Sequence, residues 1–265
     1  MTYIEGRNLF RSQLKVFFEI NEIDFYYKVI LKSFFKIEPT AISLYPETVF
    51  LPAKVKIIKV VLQRLLNEEP LQYILGTTSF RSLKLLVTPV VLIPRPETEE
   101  LVEWVLEDYK SINHKHVVID MGTGSGCIAI SLAKEQPFFN VTALDISSKA
   151  LEIAKSNAIK NKTIINFIQA DITASSTEIF PVNVIISNPP YIHPREKKEM
   201  KNNVINNEPS IALFVPEEDP LLFYRCILRY AQKNLLPDGV IYFEINPYFL
   251  SEMKNLILSI TNYSI

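Results

Sequence analysis

Between Asn8 and about Leu66 the apolar residues recur at helical spacing, as in Leu14, Phe17 and Phe18, then Val29, Ile30 and Phe34, then Val61, Leu62 and Leu65. Such stripes predict amphipathic helices. Breaks are expected near Asn21, at Glu38-Pro39-Thr40, and around Pro46 and Pro52, because proline lacks a backbone donor and disfavours helix just before it. A small all-helical domain over 1–76 follows. In Ser79 to Ile93 the pattern changes, and Phe80, Leu83, Leu85, Val87, Val90, Val91 and Ile93 suit short strands. A β-hairpin linker is predicted over 77–93. Glu97 to Tyr109 returns to helical periodicity, and beyond it strand and helix patterns alternate. Strands are predicted at His116 to Met121, Val141 to Leu144, near Ile164 to Ile168, at Val182 to Ser187 and at Val240 to Ile245. Helices are predicted from Cys127, Lys149 and Leu221, with an irregular insertion before the last. This alternation implies a parallel sheet with right-handed crossovers, an α/β, Rossmann-like doubly wound domain over 94–265.

A length of 265 residues suits one medium domain plus a smaller one. A net charge of -1 gives no reason to expect neutralisation of a long phosphate backbone. The two cysteines, Cys127 and Cys226, lie too far apart in sequence for a disulfide framework or a metal knuckle, which fits a reducing cytosol. His114, His116 and His193 lack metal-ligand spacing, so no metal is expected and these residues read as solvated or core positions. Met1 to Leu9 carries Glu5 and no basic stretch leading into an apolar run, so it does not read as a signal peptide. Nor does any apolar stretch approach the roughly 18 residues of a membrane span, and a cytoplasmic protein is expected.

The chemistry concentrates where predicted strands end. The first strand of the alternating region runs into Asp120-Met-Gly122-Thr123-Gly124-Ser125-Gly126 and then a helix. Glycines there let the backbone turn sharply and approach a ligand. The position that would carry the third glycine of a dinucleotide fingerprint is Cys127, which argues against a pyrophosphate. The next strand ends in Asp145, whose carboxylate suits the two hydroxyls of a ribose. Asp171, followed by Ile172, comes after the third strand. It suits an adenine amino group, and equally an exposed turn.

The sharpest feature is Asn188-Pro189-Pro190-Tyr191, directly after the apolar strand Val182 to Ser187. An amide nitrogen is a poor nucleophile, since its lone pair is delocalised, so a catalyst must orient that lone pair toward a methyl sulfonium. The Asn188 side-chain carbonyl and a neighbouring backbone carbonyl can accept both hydrogens of a substrate NH2. The prolines stiffen the loop and bring no competing N–H groups. Tyr191 offers an aromatic face to a planar group. Asn188, Pro189 and Tyr191 are therefore the candidate catalytic residues. No nucleophile elbow and no lysine-type phosphate loop occurs.

With these motifs in place, the chain resembles the release factor glutamine methyltransferase family, known as PrmC or HemK. Glu69-Pro70-Leu71-Gln72-Tyr73-Ile74-Leu75-Gly76 is similar to the family's junction between helical domain and hairpin. Leu92-Ile93-Pro94-Arg95-Pro96-Glu97-Thr98-Glu99 and Glu208-Pro209 with Ala212-Leu213 also resemble its motifs. The resemblance implies that Gly122 to Gly126 and Asp145 hold S-adenosylmethionine and that Asn188 to Tyr191 hold a glutamine, with Asn188 touching both. It implies as partner a class 1 release factor, methylated on the glutamine of its Gly-Gly-Gln loop and docked in part by the helical domain, with no requirement for a membrane or for direct nucleic-acid binding. Family members continue past the strand at Val240 to Ile245 through a helix into a final strand pair with a glycine-containing turn. Here the sequence stops at Tyr263-Ser264-Ile265, so this last hairpin is expected to be missing or shortened. Two other readings stay open: an Asn-Pro-Pro-aromatic loop also orients the exocyclic amine of a nucleic-acid base, and the shortened C-terminus raises a cofactor-binding docking protein without turnover, against which the intact Asn188 to Tyr191 argues.

Overall fold

The computed structural model describes residues 1–174, 180–261 and 263–264. Two compact units make up the chain, one formed by Met1–Gly76 with Asn202–Asn207, the other by Thr77–Lys201 with Glu208–Ile265. The first unit holds α1 (Tyr3–Leu14), α2 (Ile20–Phe35), α3 (Pro39–Leu44), α4 (Pro52–Leu66), α5 (Leu71–Leu75) and, from later in the chain, α9 (Asn202–Asn207). Thr2 and Glu5 form a reciprocal capping box that satisfies two of the free N–H groups at the start of α1. Pro39 and Pro52 each open a helix, at the position where a missing N–H costs nothing. Phe10, Leu14, Ile23, Tyr27, Ile30, Ile58 and Leu65 form a closed core, in which the Phe10 and Tyr27 rings meet edge to face at 5.1 Å. The Tyr27 hydroxyl donates to the carbonyl of Tyr3 at 2.8 Å.

The second unit opens with an antiparallel hairpin of β1 (Thr77–Phe80) and β2 (Leu83–Leu86). There follow α6 (Pro96–Asp108), β3 (His116–Met121), α7 (Cys127–Glu135), β4 (Phe139–Asp145), α8 (Ser148–Asn161), β5 (Asn166–Gln169) and β6 (Val182–Ser187). After β6 come α10 (Ser210–Leu213), α11 (Leu222–Asn234), β7 (Leu235–Phe243) and α12 (Leu250–Ile260). The main sheet has the order β5-β4-β3-β6-β7 with every pairing parallel. Successive residues of a strand point to opposite faces. Val118, Val141, Ala143, Val184 and Ile186 accordingly pack on the side of α6, α7 and α8, while Ile119, Met121, Leu144 and Ile185 pack with Ile227 and Ala231 of α11. This is a doubly wound Rossmann-like sheet. Its order reverses between β3 and β6, and ligands of such sheets bind beyond the carboxyl ends of the strands at that reversal.

Several boundaries differ from the sequence expectation. Helix begins at Tyr3, ahead of Asn8, because Thr2 caps it, and the first break lies at 15–19, so Asn21 sits inside α2. The strands of the hairpin end at Leu86; Val87, Val91 and Ile93 are apolar because they are buried in an irregular segment, where Pro89 and Pro94 cannot donate to a ladder. β5 starts at Asn166, and Ile164 is 96% exposed. β7 starts at Leu235 and reaches its main register only at Val240, after a bulge in which Asp238 takes φ 63°. Among the described residues no strand follows β7.

Candidate active site

The end of β3 and the end of β4 are tied by their own backbones. Gly122 N and Thr123 N both donate to the carbonyl of Leu144, at 2.8 and 2.9 Å. The loop then rises through Gly122 at φ 83° and Gly124 at φ 55°, conformations that side chains resist, and a Cβ at either would point into open space. The loop thus offers bare backbone to a ligand. Beneath it Asp120 is fully buried, accepting from Thr123 Oγ1 at 2.6 Å and from Ala129 N at 3.2 Å on the same oxygen, Oδ2. Its other oxygen has no partner, and burial pushes its pKa up to about 7. Cys127, buried behind the loop, has its thiol pushed up to about 12 chiefly by desolvation, so it is no nucleophile at neutral pH.

Asp145 spreads its carboxylate across two turns, accepting from Gly124 N at 2.8 Å on one oxygen and from Ser147 N at 2.9 Å on the other. A carboxylate has about four acceptor sites, so capacity remains for a further donor. Burial raises its pKa, and the bonds from Ser147 and Gly124 oppose that rise. Asp171, partly buried, accepts from the backbone and hydroxyl of Thr173 at 2.8 and 2.7 Å. It is at once a turn residue and, with Ile172, part of the wall of the cavity described next.

A cavity of about 360 Å³ lies over this strand edge. Gly122 to Ser125, Asp145, Asp171, Ile172, Asn188 and Pro190 all line it, together with Thr98 and an apolar rim that includes Phe223. The sheet reversal therefore brings the glycine loop and the Asn188 loop to one space. Gly126, Pro189 and Tyr191 are not among the lining residues. Tyr191 donates its hydroxyl to Glu244 Oε1 at 3.0 Å, and its ring packs with Leu221, Tyr224 and Phe249. Desolvation keeps its phenol protonated, with its pKa raised.

Thr98, Glu244, Asn157 and Glu208 were not picked out as functional from the sequence. The buried Thr98 hydroxyl donates to Glu244 Oε2 at 2.7 Å and accepts from Asn188 Nδ2 at 3.0 Å. Asn157, fully buried on α8, accepts from Leu86 N at 2.6 Å and donates to the carbonyls of Leu86 at 3.0 Å and Ser125 at 2.9 Å, locking hairpin, helix and glycine loop together. Glu208 accepts from Ile93 N at 3.2 Å and from Arg95 Nη2 at 2.5 Å, fastening the segment that enters α6. The sequence expectation put Glu244 inside the strand Val240 to Ile245; β7 ends at Phe243, which leaves Glu244 just beyond a strand end, the kind of position that singled out Asp145. His193 is a buried structural residue whose Nδ1 accepts from Arg195 N at 3.2 Å and whose Nε2 donates to the carbonyl of Glu217 at 3.0 Å. Among the described residues no group of three or more His, Cys, Asp or Glu side chains is placed to hold a metal ion.

Residues 9–76 match the model of the PrmC N-terminal domain, and residues 98–211 that of the methyltransferase small domain. The chain is 42% identical over 253 residues to a release factor glutamine methyltransferase of Flavobacterium psychrophilum, an alignment that spans 95% of this chain and 89% of that one. The chain belongs to the release factor glutamine methyltransferase family. A second member, from Lactococcus lactis, is 46% identical over 72% of this chain and 69% of its own. Among solved structures, the hMettl16 catalytic domain shares the fold at a TM-score of 0.54 and 17% identity, covering 69% of this chain and 68% of that chain. Membership makes this chain a methyltransferase.

Proposed function

We propose that this chain methylates the side-chain amide nitrogen of a glutamine, the one in the Gly-Gly-Gln loop of class 1 release factors, using S-adenosylmethionine. The observation that carries the reading is the meeting of Asn188 and Pro190 with Gly122 to Ser125 and Asp145 in one cavity. The cavity fits the cofactor in kind: exposed loop backbone, a carboxylate with spare lone pairs for a ribose, and apolar walls. Gly122 to Ser125, Asp145, Asp171 and Ile172, which line the cavity, would hold it, with Gly126 shaping the loop behind them. When bound, S-adenosylmethionine supplies an electrophilic methyl group.

The rest of the work falls to the loop after β6. Asn188 Oδ1 and a neighbouring main-chain carbonyl accept the two hydrogens of the glutamine NH2, which fixes the amide plane so that the lone pair perpendicular to it would face the methyl donor, and the nitrogen gives up one of those protons as its bond to carbon forms. Pro189 and Pro190 hold the loop rigid, and Tyr191 anchors its far end on Glu244. Met1–Gly76 serves as the docking module for the release factor, and the protein acts in the cytoplasm. No helix among the described residues is long and apolar enough to cross a membrane. Transfer of labelled methyl from S-adenosylmethionine, offered in parallel to purified release factor, total RNA and DNA, tests the reading. Label on the release factor alone is expected. Label on nucleic acid alone would transfer the loop's chemistry to a base amine.

A further inference from the structure

The Asn188 side chain has two ends of similar shape and opposite chemistry, and only one can serve. An NH2 group turned to the cavity would meet the hydrogens of the substrate NH2, donor against donor, whereas the carbonyl accepts them. Something must hold the amide the right way round.

The neighbours of Asn188 do so through proton order. Glu244 accepts on both oxygens, taking Tyr191 Oη on Oε1 and Thr98 Oγ1 on Oε2, at 3.0 and 2.7 Å, and its carboxylate also draws the Asn188 side-chain NH2. A threonine hydroxyl has a single proton. Once that proton is committed to Glu244, Thr98 Oγ1 can only accept from Asn188, so the group it faces at 3.0 Å must be the Nδ2 end. Among the described residues Oδ1 is the end with no protein donor, on a residue that lines the cavity. Glu244 is itself held in place, since its N–H donates to the carbonyl of Ser187 at 3.1 Å and its carbonyl accepts from Tyr224 Oη at 2.9 Å. One carboxylate thus governs both ends of the Asn188 to Tyr191 loop, with Pro189 and Pro190 spanned between.

We propose that Glu244 and Thr98 are positioning residues that set the proton order along Glu244, Thr98 and Asn188, and so present the carbonyl end of Asn188 to the substrate nitrogen. The inference rests on the glutamine-transfer reading above and adds to it the element that orients the acceptor.

The test uses the intact chain with release factor and S-adenosylmethionine. Thr98→Val keeps the shape of the buried side chain and removes its hydrogen bonding; Thr98→Ser keeps the hydroxyl. Thr98→Val should slow single-turnover methyl transfer by on the order of 10-fold, with KM for release factor and cofactor affinity shifted by less than about threefold. Thr98→Ser should recover most of the lost rate. Independently of turnover, the side-chain amide signal of Asn188 in a 15N–1H spectrum of the ligand-free protein, assigned by its loss in Asn188→Ala, should move in Thr98→Val and Glu244→Gln and return in Thr98→Ser. A wild-type rate with an unmoved signal in Thr98→Val would overturn the proposal, as would equal losses in the Val and Ser variants. Should Thr98→Val fail to fold, the Ser and Gln variants decide: a slowed Glu244→Gln beside an active Thr98→Ser supports the relay, and equal rates in the two overturn it. If wild-type protein methylates no release factor, the glutamine reading fails, while the Asn188 signal still reports on the relay.

Discussion

Removing the Asn188 amide deletes an acceptor for the substrate and a donor to Thr98 together, whereas Asn188→Asp keeps an acceptor but places a second carboxylate opposite the Thr98 hydroxyl that already serves Glu244. Loss of alignment dominates in both, because an amide nitrogen reacts only when its lone pair is aimed. Single-turnover rates at saturating cofactor should fall on the order of 100-fold for Asn188→Asp and further for Asn188→Ala. Asp120 supports a prediction of a different kind. Its folded pKa lies near 7 against an ordinary value of 3.8, so the native state holds a proton that the unfolded chain gives up. The stability contributed by this group is complete below about pH 3.8 and drains away as pH rises toward 7. The melting temperature of Asp120→Asn, which has no such proton to lose, should gain on that of wild type across this window; a constant difference would show that Asp120 is ionised throughout. The glycine loop, Asp145 and Asn188 were legible because each sits where a predicted strand stops. Glu244 was not, and Thr98 stood only inside a motif without a role of its own, since their bond joins residues 146 positions apart and exists only once α6 packs against β7.

Close approach, more than propensity, decides the packing of α1 on α2. A Cβ at Gly6 would lie 2.4 Å from the hydroxyl oxygen of Tyr27, a side chain that is fully buried and fixed by its bond to the Tyr3 carbonyl. Gly6→Ala gains about 1 kcal/mol of helix propensity, yet overpacking of this kind costs about 1–3 kcal/mol. Net destabilisation is expected in urea unfolding, and it should shrink in a Tyr27→Phe background, where the clashing oxygen is gone. Equal effects in the two backgrounds would place the cost elsewhere. At this scale the alternating strands β3, β4 and β6 could be read from the chain because apolar-rich runs such as Val182 to Ser187, broken by Asn183, are buried at nearly every residue. Val87 to Ile93 could not, since burial makes a residue apolar whether or not it joins a ladder, and only Pro89 and Pro94 hinted that no ladder forms. The bulge at Asp238 was equally silent, being a property of how β7 meets β6.

For the molecule as a whole, the reading assigns chemistry to Thr77–Lys201 with Glu208–Ile265 and partner recognition to Met1–Gly76 with Asn202–Asn207. If a second unit contributes docking energy, an intact release factor should exceed a short Gly-Gly-Gln peptide in kcat/KM by on the order of 100-fold, through effective concentration at the cavity. Steady-state comparison of the two substrates measures this, and parity would restrict the helical unit to a structural role. The alternation of elements made the sheet-bearing unit readable as one domain, but the return of α9 to the helical unit was hidden inside an insertion with no periodicity. The central claim, that the Asn188 loop directs methyl transfer to a glutamine amide, is tested most directly by fragment-ion mass spectrometry of the release factor after incubation with this protein and S-adenosylmethionine. One methyl group on the side-chain nitrogen of the Gly-Gly-Gln glutamine, absent when Asn188→Ala replaces the wild-type chain, is the predicted result. A methyl group on any other residue, or an unmodified glutamine after full incubation with the wild-type chain, would contradict it.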